Sequence, residues 1–349
     1  MKLATYKDGS RDGQLVVVSR DLSHAHYASH IANRLQQVMD DWNFLSPQLQ
    51  DLYTSLNNGR ARHAFAFDPQ QCMAPLPRAY QFVDSVAYPC QTALTRTALG
   101  ADTPDGAAAT PAAPAMAQAS SDAFWGPRDA IACASEDFGV DFGAGMAVVT
   151  GDIPMGCPAD RALDGIRLVM LTHTLSLRHL MANDQDDGLG SVQSRLGAAC
   201  SPVAVTPDEL GDAWSRGRIQ LPLVTSWNGR KVGLCDAGAD MAFHFGQLIA
   251  YAAKTRLLRA GSLIGTGAVA NLGVTKGGGA KAHTDWPKGY HSIAHKRAME
   301  TLQDGKPSTG YLKYGDTVRS EMKDAAGHSL FGAIEHELVS VQEGVAAKP

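Results

Sequence analysis

Residues 135–151, SEDFGVDFGAGMAVVTG, decide the fold. Their second half, 144–151, reads as a strand that closes on Gly151, in a region of short strands and many turns that starts near residue 78. Downstream, 159–180 has a helical pattern, with Leu163, Ile166, Leu168, Met170 and Leu171 as its apolar members. Segments 221–226 and 231–235 flank Trp227-Asn228-Gly229-Arg230, whose Asn-Gly pair predicts a tight hairpin. A further helix is predicted over 241–255, and strand-like segments return at 262–270, 311–323 and 329–339. Upstream, 2–6 and 15–19 predict a hairpin around DGSRDG, followed by two amphipathic helices. The first carries Ile31, Leu35, Val38, Met39 and Trp42. The second carries Leu49, Leu52, Tyr53 and Leu56, with Ser46 as N-cap and Pro47 at its first helical position. The expected class is α+β, mostly β, with a small N-terminal α/β domain over 1–77 and a larger domain over 78–349.

Composition narrows the partners. A net charge of −4, with 44% hydrophobic and 19% charged residues, suits a chain that buries a core, and it offers no basic field for nucleic acid or an anionic membrane. No apolar run approaches the roughly 20 residues of a spanning helix. The opening MKLATYKDGSRDG turns polar too early for a secretory signal, so a cytoplasmic protein is expected. Six scattered cysteines form no C-x-x-C pair and are expected to stay reduced. Two biased stretches, 101–122 (Ala/Pro-rich) and 272–281 (Gly-rich), read as loops. The run Gly277-Gly278-Gly279 lacks the lysine–threonine ending and the strand–turn–helix setting of a phosphate loop.

Several segments together resemble the fumarylacetoacetate hydrolase family in its bacterial form: KLATYKDGSRDGQLVVVSRDL, SEDFGVDF, AVVTGDIPMG, SPVAVTPDELGDAW, SWNGRKVG, FHFGQLIA and GYHSIAHKRAMETLQDGKPSTGYLKYGDTVRSEM. The resemblance spans nearly the whole chain. It implies a mixed β-sandwich roll behind a small N-terminal domain, and a homodimer. In that family, by resemblance, four carboxylates hold Mg²⁺ or Ca²⁺ against a β-diketo acid, and a histidine backed by a glutamate activates water.

Carried onto this chain, the resemblance puts the first metal aspartate at Asp84. The E-x-E pair falls on Gly143 and Gly145, and the fourth ligand on Thr174, preceded by His173. The water-activating histidine becomes Gln91, its glutamate becomes His295, and a lysine becomes Arg195. A lid tyrosine becomes Ala117, and a G-T-V-S turn becomes Gly267-Ala268-Val269-Ala270. Arg96 and Arg178 persist. No metal and no cofactor are expected.

The expectation is a remodelled, metal-independent enzyme acting on a small oxygenated carboxylate by C–C hydrolysis, decarboxylation, tautomerisation or cyclisation. His295 is the acid/base candidate because imidazole titrates near neutrality. Gln91, Arg178 and Arg195 complete the catalytic set, while Asp84, Tyr88, Arg96, His173 and Thr174 are placed as substrate-binding residues. The same residues leave two alternatives open: a catalytically silent binding or partner subunit, and a conventional metal-dependent acylpyruvate or fumarylacetoacetate-type hydrolase. The blander reading of each survivor is a core or ion-pair role. His179 and His244 fit that reading within helical patterns.

Overall fold

The computed structural model describes residues 1–98, 112–181, 192–271 and 289–342. In chain order its elements begin with β1 (Lys2–Tyr6), β2 (Gln14–Val18), β3 (His24–Tyr27), α1 (Leu35–Asp40), α2 (Trp42–Asn57), β4 (Phe65–Ala66), β5 (Phe82–Ser85) and α3 (Pro89–Ala98). There follow β6 (Met116–Ala119), β7 (Ile131–Cys133), β8 (Val140–Thr150), α4 (Ala159–Leu163), β9 (Ile166–Leu177), β10 (Arg195–Cys200) and β11 (Ala204–Val205). The rest are β12 (Trp214–Ser215), β13 (Arg218–Ile219), β14 (Pro222–Trp227), β15 (Arg230–Asp236), α5 (Phe245–Ala252), β16 (Ser262–Ala268), α6 (Ile293–Asp304), β17 (Thr317–Met322) and β18 (Ile334–Ser340).

Strands dominate, and the class is α+β, mostly β. One large sheet runs β4-β3-β2-β1-β11-β9-β8-β16-β5-β6, with β10 also pairing β9; a five-stranded sheet runs β15-β14-β17-β18-β7. Every residue of β8 is buried, because this strand is covered on both faces. The N-terminal hairpin forms as expected, Lys2 facing Val18 and Tyr6 facing Gln14, and β1 joins the rest of the sheet through β11. The Asn-Gly hairpin also forms. Asn228 (φ 49°) and Gly229 (φ 73°) both adopt the left-handed conformation that a two-residue turn requires.

Four expectations need correction. Only Ala159–Leu163 of the predicted 159–180 helix is helical, and the remainder is the twelve-residue strand β9. A strand buried on both faces loses its period-2 alternation, so its apolar run mimics a helix. The break falls at Gly165, where an added Cβ would collide with the Ile153 side chain. The second N-terminal helix starts at Trp42 and holds Pro47 inside it. Trp42 and Leu45 pack on a buried cluster that joins the N-terminal helices to the large sheet, and they keep a turn of helix ahead of the proline. The helix predicted over 241–255 is confined to Phe245–Ala252, because the Gln247 side chain accepts the His244 backbone N–H and starts it there. The biased stretch 101–122 contains β6, which pairs with β5; residues 272–281 lie outside the described residues. None of the six cysteines is in a disulfide. Among the described residues no helix is long and apolar enough to cross a membrane.

Candidate active site

Sheet curvature builds the site. Asp84 sits near the end of β5 and Arg195 at the start of β10, four strand spacings apart through β16, β8 and β9. In a flat sheet they would be about 19 Å apart at roughly 4.8 Å per strand. Instead Arg195 Nη1 stands 3.7 Å from Asp84 Oδ2, so the sheet has rolled until its strands face one another. Parallel pairing of β5 with β16 brings the Gly267 turn to the same end, where Gly267 N–H donates to Asp84 Oδ1 at 2.9 Å. Gly267 has φ 70°, and any Cβ there would strike the Ser85 carbonyl, so the turn depends on glycine. Asp84 is 6% exposed; burial pushes its carboxyl pKa up, opposed by Arg195 and by backbone N–H groups. Arg195 is half-buried, and its Nε has no hydrogen-bond partner among the described residues.

The divalent ion that the resemblance implies does not fit these residues. Gly143 and Gly145 offer no donor oxygen on their side chains, and Thr174 Oγ1 donates to the Gly143 carbonyl at 3.2 Å. A Cβ on Gly145 would run into the Gly267 carbonyl oxygen and lie 3.0 Å from Thr266 Oγ1. The neighbouring turn therefore fills the volume that a ligating side chain would need. A Cβ on Gly143 would lie 2.6 Å from Thr174 Oγ1. One carboxylate already opposed to a guanidinium, plus one hydroxyl, is far from the six oxygens Mg²⁺ requires. Among the described residues no three His, Cys, Asp or Glu side chains form a metal-binding group.

Several expected site residues have partners within the chain. Arg178 gives its Nε to Asp141 Oδ2 at 2.8 Å. Asp141 is fully buried and also accepts from Ser292 Oγ (2.9 Å), Ile293 N (2.6 Å) and Ala294 N (3.1 Å), anchoring the start of α6. Arg178, expected to bind an anionic group, therefore pairs through its Nε with a buried carboxylate of the chain itself. Tyr88, expected to bind substrate, is 1% exposed and donates its hydroxyl to the Ala237 carbonyl at 2.5 Å. His173 faces the opposite side of β9 from Thr174, as strand alternation demands. Its ring is fully buried and packs edge-on to His336 at 4.9 Å.

His295, in the first turn of α6, is 3% exposed, and burial holds its imidazole down at about 4. It is neutral at pH 7 and a weak base, against the expectation that it titrates near neutrality. Ala117 pairs directly with Asp84 across β5 and β6. Gln91 and Arg96 fall on α3, which packs on α6 through Leu94, Ala298 and Met299. Their own side chains lie outside the described set. Sequence reading missed Asp141, although it stands in the quoted 135–151 stretch. The signal available was an acidic residue inside an otherwise apolar strand.

Two family models match. The description "Fumarylacetoacetase N-terminal domain 2" covers residues 1–78, and "Fumarylacetoacetate (FAA) hydrolase C-terminal" covers residues 86–339. Among solved structures, the chain is similar to a fumarylacetoacetate hydrolase from psychrophilic Exiguobacterium antarcticum. Identity is 14%, the TM-score is 0.63, and 97% of this chain and 99% of that one are covered. It is similar to maleylpyruvate hydrolase from Sphingobium sp. SYK-6 at 13% identity and TM-score 0.62, covering 97% and 100%. A third likeness is to 2-hydroxyhepta-2,4-diene-1,7-dioate isomerase from Mycobacterium marinum, at 16% identity and TM-score 0.57, covering 98% and 99%. Among curated proteins, none matches this sequence. At these identities the structural likenesses establish the fold.

Proposed function

We propose, for a chain that belongs to the fumarylacetoacetate hydrolase family, a metal-independent enzyme that tautomerises a small oxygenated carboxylate. The observation that carries this reading is the Asp84–Arg195 pair, a buried carboxylate of raised pKa beside an organic cation. Arg195 holds the substrate's anionic oxygen with its planar donor fork, supplying charge where relatives of this fold would use a divalent ion. Asp84 takes a proton from the carbon next to the substrate carbonyl. The electron pair moves onto the carbonyl oxygen as an enolate, stabilised by Arg195, and Asp84 returns the proton at a second position. A raised carboxyl pKa brings the base closer to neutrality and strengthens it. His295 is uncharged at pH 7 and leaves proton transfer to Asp84. Isomerase chemistry of this class is named for the Mycobacterium marinum relative.

The test is hydrogen–deuterium exchange at the methylene of acetylpyruvate in D₂O, followed by NMR in the presence of EDTA. Exchange should exceed the buffer rate, persist with chelator, and fall on the order of 10²–10⁴-fold in Asp84→Asn. Arg195→Gln should lose a comparable factor. Exchange that EDTA abolishes overturns metal independence. No exchange above buffer with acetylpyruvate or other 2-oxo acids overturns the enzymatic reading and favours a silent binding subunit.

A further inference from the structure

Apart from the Asp84 cleft, a cavity of about 530 Å³ opens between the β2–β3 turn, the end of α2 and the 324–330 segment. Small-molecule sites span roughly 300–1,000 Å³. Several polar groups of its wall are held in place yet keep an open donor or acceptor. Asp21 accepts from Ser19 Oγ at 2.6 Å, Ser23 Oγ at 2.7 Å and Ser23 N–H at 3.0 Å, all on Oδ1, so Oδ2 is left for a further donor. Ser23 gives its one hydroxyl proton to Asp21, so the 2.7 Å contact between Ser23 Oγ and His24 Nδ1 uses the imidazole N–H. In the neutral ring that tautomer makes His24 Nε2 an acceptor. Arg20 Nε stands 3.6 Å from Glu209 Oε2, beyond hydrogen-bonding distance, and its side chain is 73% exposed, so the guanidinium is open as a donor. Ser329 Oγ is buried in the same wall and has no hydrogen-bond partner among the described residues.

The charges of the wall cancel. Lys2 is an ammonium held by the Leu330 and Ser329 carbonyls at 2.6 and 3.4 Å, and Arg20 is the second cation. Asp21 and Asp324 oppose them, while the third carboxylate, Glu209, pairs with the Met1 amine at 3.1 Å. A ligand of either net charge would therefore meet a like charge in the wall. Leu56 and Leu330 add apolar surface. Open donors, open acceptors and apolar patches without net charge match a molecule that carries hydroxyls along a C–H skeleton.

We infer that this cavity binds a small neutral sugar or sugar alcohol. Ligand hydroxyls donate to Asp21 Oδ2 and His24 Nε2 and accept from the Arg20 guanidinium. Ser329 Oγ serves either role, and the ligand's C–H groups pack on Leu56 and Leu330. Three segments remote in sequence then share one ligand.

The test is a ligand-observed NMR titration of the intact chain with D-sorbitol and D-glucose. Gluconate and N-methylglucamine serve as anionic and cationic analogues of the same carbon skeleton as sorbitol. Sorbitol should saturate and bind on the order of 10-fold tighter than either charged analogue. Arg20→Ala, at a largely exposed side chain, should weaken sorbitol binding on the order of 10-fold by removing a charged donor. Asp84→Asn should bind sorbitol as the wild type does, which separates this cavity from the cleft. The proposal is overturned if neither sorbitol nor glucose saturates, if a charged analogue binds as tightly as sorbitol, or if Arg20→Ala leaves the affinity unchanged. It is equally overturned if Asp84→Asn abolishes binding. The comparison of ligands on the wild-type chain needs no variant, so it stands whatever the stability of Arg20→Ala.

Discussion

Asp141 and Asp84 are both buried and both stand opposite an arginine, yet their surroundings differ in kind. Asp141 accepts Arg178 Nε, Ser292 Oγ and the N–H groups of Ile293 and Ala294, all within 3.1 Å. Asp84 accepts the Gly267 N–H at 2.9 Å and leaves Arg195 at 3.7 Å, beyond hydrogen-bonding distance. The first arrangement ties the start of α6 to β8, and its arginine cannot turn away without stranding a buried charge. The second leaves donors and lone pairs uncommitted, as a site that must exchange partners with a substrate requires. An Arg–Asp pairing therefore says little about role until the remaining partners of each carboxylate are counted.

The contrast can be broken most forcefully at Asp141. Asp141→Ala should lower unfolding stability by about 3–5 kcal/mol, because it leaves Arg178 and three further donors unpaired. Urea denaturation measures this, and a loss under about 1 kcal/mol would mean that the anchor is not structural.

Acid titration sharpens the same region. His291, His295 and His336 are buried, with pKa values lowered to about 3, 4 and 4, and His173 is lowered well below its usual value. Desolvation is the largest cause for all four. These groups face one another: His173 meets His336 at Nδ1–Nδ1 3.4 Å, His291 bonds Thr225, and that threonine bonds Ser320. Because folding depresses these pKa values, the unfolded chain binds protons first. Stability is full above about pH 6.5 and falls as pH drops toward 4, by up to about 1.4 kcal/mol per pH unit for each histidine. His336→Phe should flatten the slope by about one proton over that window. Chemical denaturation at several pH values reads the slope, and an unchanged slope would remove His336 from the acid response.

The smallest effect belongs to Asp84. Its carboxyl pKa is raised in the fold, so ionisation costs stability as pH rises above the unfolded value. Asp84→Asn should leave the melting temperature level or slightly higher while abolishing exchange activity. Millimolar Mg²⁺ should not move the melting temperature of either protein. A binding ion at 100-fold its dissociation constant would add about 2.7 kcal/mol, so a clear rise with Mg²⁺ would contradict the fit of the glycine-lined turn.

Local signals were readable where the chemistry is local. The Asn228–Gly229 hairpin follows from two residues that tolerate positive φ, and the β1–β2 hairpin from a glycine-rich turn between apolar runs. The strand expected at 144–151 is the latter part of β8. Strand β9 was misread because coverage on both faces erases the pattern that separates strand from helix. Helices α3 and α6 were not anticipated; α6 starts on the Asp141 carboxylate, which lies 151 residues from Ser292.

Residue type alone determined that positions 143 and 145 carry no carboxylate, that position 91 carries no base, and that a cation stands at position 195. Such statements need no geometry, because a glycine has no donor atom in any fold. Only the tertiary structure decided that Arg195 reaches Asp84, that Arg178 is committed to Asp141, and that His295 is too deeply buried to titrate near neutrality. Distance across a rolled sheet and the free energy of desolvation depend on strands and helices remote in sequence, so neither is written in any short stretch of the chain.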